Sequence, residues 1–242
     1  MRIKSVMLLL SAVLAFHANF AHANLIKNGD FEQASKGTNK KINGTYIESD
    51  RTTLEGWTSS EDGSNRGGYN FLLHGSTANK HGAALRLGGK GKDYFMSPTG
   101  GNFFASDSQY HPGVLSQLVS GLAIGSSYVL TFDYALAQQY GWKGENVDNF
   151  WEVGFGKSTL NTELLSIPEQ GFTGWKSASM LFTATGASEL LSFLAKGTAP
   201  GAPPFMLLDN VKLEAAVPEP GTWALLLGGL GLLAFMARRR QA

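Results

Sequence analysis

The 242-residue chain contains no cysteine, which excludes thiol catalysis, thiolate metal sites and disulfide staples. Its formal charge of +1 is unevenly spread. Five basic residues (Arg2, Lys4, Arg238, Arg239 and Arg240) sit at the ends, so residues 24–217 hold fifteen basic and eighteen acidic residues, a net of −3 that offers no footprint for nucleic acid.

The chain opens with Arg2 and Lys4, an apolar block over 6–16, and Ala21-His22-Ala23, which puts small residues at the two positions a signal peptidase reads. This order predicts a secretory signal peptide over 1–23, cut between Ala23 and Asn24. A buried N-terminal helix would explain the apolar block but not the charge before it or the cleavage site after it. Residues 24–216 then form one domain, long enough for a substantial core.

Within that domain helical periodicity is hard to find, and Gly, Ser, Asn and Thr clusters punctuate short apolar runs. The stretch 24–32 (NLIKNGDFE) reads as a first strand with a turn at Asn28-Gly29, and 36–53 as a long polar loop or hairpin. Strands are expected at 69–74 (YNFLLH), 83–88 (AALRLG) and 113–119 (GVLSQLV), with the Gly-, Ser- and Asn-rich stretch 97–112 as loop. The strongest signal is 127–137 (SYVLTFDYALA), where Tyr128, Leu130, Phe132, Tyr134 and Leu136 share one parity, the mark of a half-buried strand. Strands follow at 150–156, where Trp151, Val153 and Phe155 share a face, then at 175–185 and 190–197 around a turn at Gly186, and at 205–215 (FMLLDNVKLEA). Trp57 and Trp175 are assigned to packing. Eight or more short strands joined by turns predict an all-β fold, a jelly-roll β-sandwich.

The last segment, 217–242, differs in kind. Pro218, Glu219 and Pro220 precede residues 222–237, sixteen without a charge, and Arg238, Arg239 and Arg240 follow. As a helix, 222–237 rises about 24 Å, slightly short of a hydrocarbon core of about 30 Å. Trp223 suits an interface, and the arginines suit the cytoplasmic side. The expectation is a transmembrane helix over 222–237 with a basic tail over 238–240, rather than a buried core helix. The two prolines keep the preceding segment extended and accessible to a protease.

Two resemblances follow from these residues. The order NLIKNGDFE, Gly56-Trp57, YVLTFDYA and LLDNVKL resembles galactose-binding-like jelly rolls, the sandwich used by many carbohydrate-binding modules. The tail VPEPGTWALLLGGLGLLAFMARRR resembles PEP-CTERM sorting signals of Gram-negative bacteria that make exopolysaccharide. The second resemblance implies export, an inner-membrane precursor, processing by an exosortase near Pro218, Glu219 and Pro220, and delivery to the cell surface or extracellular matrix.

The jelly-roll resemblance also implies a structural calcium between the start and end of the domain, near Asn28, Asp30 and Glu32 and completed by Asp209. Asp209 shares parity with Leu207, Val211 and Leu213, and a carboxylate on an apolar face is costly unless paired or metal-bound. The alternatives are that Asp209 accepts backbone N–H groups or faces solvent at a strand end. A second candidate site gathers aromatics after the long strand: Tyr140, Trp142, Phe150 and Trp151. Tyr140 and Trp142, in a Gly-flanked loop, are the rings best placed for exposure, and Glu145, Asn146 and Asp148 are polar enough to read sugar hydroxyls. The alternative is that most of these rings are core.

Catalytic signals are absent. His74, His81 and His111 sit in no metal-ligand motif, and no G-x-S-x-G elbow occurs. The expectation is therefore a non-enzymatic, exported protein that binds extracellular polysaccharide or forms part of that matrix. A structural spacer or adhesin with protein partners is the alternative, and a polysaccharide hydrolase ranks third.

Overall fold

Period-two alternation organises the chain into twelve strands and one helix in the computed structural model, which describes residues 23–61, 68–89, 94–197, 202–216 and 220–239. The signal segment up to residue 22, Pro218, Glu219 and Arg240 lie outside the described residues; Ala23 is described and exposed.

The strands are β1 (Lys40–Lys41), β2 (Thr58–Glu61), β3 (Asn70–His74), β4 (Asn102–Asp107), β5 (Gly113–Ser120), β6 (Ser127–Gln138), β7 (Asn146–Phe155), β8 (Ser158–Asn161), β9 (Leu165–Ile167), β10 (Lys176–Thr183), β11 (Ser188–Lys196) and β12 (Pro204–Ala215). They form two antiparallel sheets, one ordered β1-β3-β4-β12-β6-β10 and the other β2-β5-β11-β7-β8, with β9 beside β7. The two sheets pack face to face as a jelly-roll sandwich. Tyr128, Leu130, Phe132, Tyr134 and Leu136 of β6 all face the inter-sheet core, where they meet Trp151, Val153, Phe155 and Phe193 of the opposite sheet. Trp57 joins the same core.

The first sheet is apolar on its other face as well. Phe71, Leu73, Phe103, Ala105, Ala135, Ala137, Phe205 and Leu207 form a second buried cluster with Leu85, Leu87 and Phe95, and Phe172 and Trp175 pack against it. Double-sided burial explains why β4 was not legible. All six of its residues are buried, so no alternation marks it, and it lies in the stretch read as loop. Segments read as strands also failed to become them. Residues 24–32 run alongside β12 without joining the sheet: the Leu25 amide donates to the Leu213 carbonyl (2.9 Å), and Asn24 Oδ1 accepts from the Leu213 amide (3.0 Å). Asn28 (φ 51°) and Phe31 (φ 56°) then turn the chain away. The 83–88 stretch keeps one isolated bridge, Leu87 to Gln139, and the 36–53 loop contributes β1 and one isolated bridge, Ile42 to Thr52.

The tail is helical as expected, over Pro220–Arg239 (α1), with Arg238 and Arg239 in its last turn. Among the described residues no helix is long and apolar enough to cross a membrane. Leu227, Leu230, Leu233 and Met236 are exposed along it.

Candidate functional site

A cleft of about 440 Å³ opens beside the second apolar cluster, with Tyr69, Asp107, Tyr110, His111, Gln139 and Trp142 on its walls and Phe71 and Phe205 at its apolar base. Its walls come from three places: the residue before β3, the end of β4 with the turn that follows, and the loop after β6.

Asp107 builds the turn. Its buried carboxylate accepts the amides of Gln109 (2.8 Å) and Tyr110 (3.0 Å), which swings Tyr110 and His111 outward. Burial pushes the Asp107 pKa up, against the pull of those two amides and of the His111 charge. Tyr69 is tied at both backbone groups: its amide donates to the His111 carbonyl (2.8 Å), and its carbonyl accepts from the Asp107 amide (3.1 Å). The approach is close enough to require glycine just before it. Gly68 has φ 57°, and a Cβ there would sit 2.8 Å from the Gly113 Cα. The Tyr69 ring meets His111 edge-on at 4.6 Å, with Lys41 Nζ 4.6 Å from its centroid.

The backbone is fixed while the rings remain open: Tyr69 is 41%, Tyr110 49% and Trp142 53% exposed. Rigid, half-open aromatic walls with hydroxyl, amide and imidazole groups between them suit a ligand with both apolar and hydroxylated faces.

Of the residues singled out from sequence, Trp142 lies in this cleft and Tyr140 beside it. Tyr140 is 49% exposed, but the Arg86 guanidinium lies 3.5 Å from its ring centroid. Glu145 and Asp148 are exposed, and Asp148 has φ 54°. Asn146 is the exception. It is fully buried at the start of β7, opposite Ile167 of β9, so it cannot line an open surface, and neither polar atom of its side chain has a hydrogen-bond partner among the described residues. Phe150 is half-buried and Trp151 is core. Tyr69, Tyr110, His111 and Asp107 went unremarked as a site. Their signal was slight: aromatics in a Gly-, Ser- and Asn-rich stretch.

The residues singled out for calcium do not assemble as four ligands. The Asn28 side chain is occupied within its own turn, donating to the carbonyls of Gln33 (2.9 Å) and Glu55 (3.0 Å) and accepting from the Gln33 amide (2.9 Å). Asp30 is exposed. Glu32 and Asp209 reach the same turn, 97–102, from opposite ends of the chain. Glu32 accepts the Asn102 amide (2.5 Å) and its Nδ2 (3.0 Å). Asp209, fully buried, accepts the hydroxyls of Ser97 and Thr99 (2.8 Å for Thr99) and the Asn210 amide (2.7 Å). Burial pushes its pKa up to about 6. Among the described residues no three His, Asp or Glu side chains converge to hold a metal ion. The donors on Asp209 point hydrogens at it, so the carboxylate is satisfied by the chain itself. The set does not fit a cation as arranged.

Residues 216–240 match the PEP-CTERM protein-sorting motif. The tail is thus a sorting signal, and it marks the protein as exported, surface-sorted and processed by an exosortase. Among individual proteins, halomucin of Haloquadratum walsbyi is 29% identical over 192 residues, which cover 78% of this chain. The chain spans only 2% of the length of that relative. Among solved structures, the carbohydrate-binding module TmCBM61, determined with β-1,4-galactotriose, is 15% identical, with a TM-score of 0.43 over 80% of this chain and 99% of that one. A CBM4 module is 14% identical, with a TM-score of 0.36 over 79% and 99%. The enzymatically active domain of bacteriophage CBA120 tailspike protein 4 is 13% identical, with a TM-score of 0.40 over 80% of this chain and 21% of that one.

Proposed function

We propose that this surface-sorted protein binds extracellular polysaccharide without breaking it, and that the cleft between Tyr69, Tyr110 and Trp142 is where the sugar sits. The observation that carries the reading is the exposure of these three rings around one cleft, with Tyr69 and Tyr110 on backbone tied by β3, β4 and the Asp107-built turn, and Trp142 in a loop whose carbonyl accepts from Gln170 Nε2 (2.8 Å). An aromatic face offers the C–H side of a pyranose a contact that water does not, and Gln139, His111 and the tyrosines place polar groups along the same cleft. No covalent step is needed. A signal peptidase cutting after Ala23 and an exosortase acting near Pro220 complete the maturation in this reading.

The test is a glycan array probed with wild type and Trp142→Ala. Binding to one polysaccharide class by wild type, lost in the variant with the melting temperature unchanged, is expected. Binding that survives in Trp142→Ala would move the site elsewhere.

A second reading, a structural spacer with protein partners, draws on the other sheet. Leu118 and Leu190 stand opposite one another on β5 and β11 and are 66% and 51% exposed. A wild-type protein that binds nothing on the array yet associates through that face, with Leu118→Ser abolishing association, would favour it.

A further inference from the structure

The aromatic platform beside the cleft carries a charge that the fold does not neutralise. Arg86 lies over Tyr140, its Cζ 3.5 Å from the ring centroid, and its Nε donates to the Asn79 carbonyl (3.1 Å). Among the described residues no carboxylate pairs with it. The stack is preorganised by the main chain: the Tyr140 amide donates to the Arg86 carbonyl (2.8 Å), and Leu87 bridges to Gln139. The stack and the Asn79 bond hold the half-buried side chain, and its two terminal nitrogens donate to no described residue. Tyr140, the ring beneath the guanidinium, precedes Trp142 by two residues, and Leu85 and Gln139, the chain neighbours of Arg86 and Tyr140, are themselves cleft residues.

Charges of the opposite sign nearby are committed elsewhere. Asp107 is buried against the amides of Gln109 and Tyr110, and Glu169 accepts from the Gly144 amide (3.2 Å). Glu145 is exposed to solvent in the loop. On the basic side, Lys41 covers Tyr69 across the cleft and Lys143 follows Trp142.

We infer that the cleft takes an acidic glycan, a sugar bearing a carboxylate, and that Arg86 is the side chain that selects for the charge; this rests on the sugar-binding reading of the cleft. The division of labour is physical. Trp142 stacks on the apolar face of the ring, which any pyranose offers. The guanidinium fork matches the two oxygens of a carboxylate, which only a uronate or a similarly substituted sugar offers. A lysine at the same place would supply the charge but not the planar fork.

The experiment titrates the full chain with trimers of galacturonate, glucuronate and mannuronate, with their methyl esters, and with β-1,4-galactotriose, by calorimetry at two salt concentrations. Wild type is expected to bind at least one acidic trimer about tenfold or more tightly than its ester, with the preference shrinking at high salt. Arg86→Gln is expected to bring the acid down to the affinity of the ester while leaving the ester's affinity and the melting temperature in place. Arg86→Lys is expected to restore only part of the preference. Equal binding of acid and ester by wild type, or an equal weakening of both in Arg86→Gln, overturns the charge selection and leaves the cleft intact. Binding of none of these sugars by wild type overturns the cleft reading together with it.

Discussion

Asp133 and Asp209 stand directly opposite one another on the neighbouring strands β6 and β12, both buried, and Asn210 donates to each. Its backbone amide reaches Asp209 and its side-chain Nδ2 reaches Asp133 (3.0 Å), while Ser177 supplies a hydroxyl to Asp133 (2.6 Å). The ladder shifts register just beyond Asp209, and Asn210 adopts φ 53°. The bulge turns its donors toward both carboxylates at once.

This pair predicts a pH dependence. Burial, opposed by hydrogen bonds from Ser97, Thr99 and Asn210 and reinforced by the Asp133 charge, raises Asp209 from 3.8 to about 6. A carboxyl raised on folding is held more tightly by its proton in the native state. Its contribution to stability is fully present below about pH 4 and is lost as the pH rises through about 6, an effect of at most about 3 kcal/mol. Thermal melts at pH 5 and pH 7.5 should show this loss in wild type and much less of it in Asp209→Asn. A variant with the wild-type pH profile would remove Asp209 as its source.

Chelation is expected to change little. The Asp209 carboxylate is satisfied by two hydroxyls and an amide, and Glu32 by the Asn102 amide and side chain. Melting in EDTA and in millimolar calcium should agree within about 1 °C, because a ligand that binds only the native state would raise the melting temperature. A drop in EDTA that calcium restores would instead show a cation between Asp209 and Glu32.

Gly29→Ala should destabilise by about 1–3 kcal/mol through overpacking. A Cβ at this position would lie 2.0 Å from the Val211 carbonyl oxygen, while the Gly29 carbonyl accepts from the Val211 amide (2.9 Å). The N-terminal segment and β12 therefore have to part if a side chain is added. Urea unfolding measures the loss, and an unchanged midpoint would mean that the turn relaxes freely.

Two tryptophans nine residues apart should behave oppositely. Trp151 is fully buried, donates from Nε1 to the Leu207 carbonyl (3.1 Å), and lies 6.0 Å from the rings of both Phe104 and Phe193. Trp151→Ala should cost about 3–5 kcal/mol. Trp142→Ala, at a half-open surface position, should stay within about 0.5 kcal/mol of wild type. Parallel urea titrations separate the two, and a large loss at Trp142 would make it a structural residue rather than a ligand platform.

Parity in β6 and β7 was enough to assign Trp151, Val153 and Phe155 to the core and the bulky face of β6 to the space between the sheets, because a strand with one polar side leaves a period-two trace. Exposure of Tyr140 and Trp142 was legible from their glycine-flanked loop for the same local reason. Asn146 was misplaced because a polar residue beside such a loop gives no local sign that β9 will pair over it. The strand proposed over 24–32 had the right composition, but two left-handed residues, Asn28 and Phe31, turn it out of the sheet.

Local chemistry in the chain determined an all-β sandwich, a core drawn from alternating aromatics, and a terminal helix that matches a sorting signal. Those features depend on neighbours a few residues apart. Tertiary structure alone decided that β4 is a central strand buried on both faces, that Asp209 meets Ser97 and Thr99 across more than a hundred residues, and that Tyr69, Tyr110 and Trp142 share one cleft with Arg86 stacked at its edge. Each of these joins segments distant in sequence, and spacing along the chain carries no trace of which strands will lie side by side.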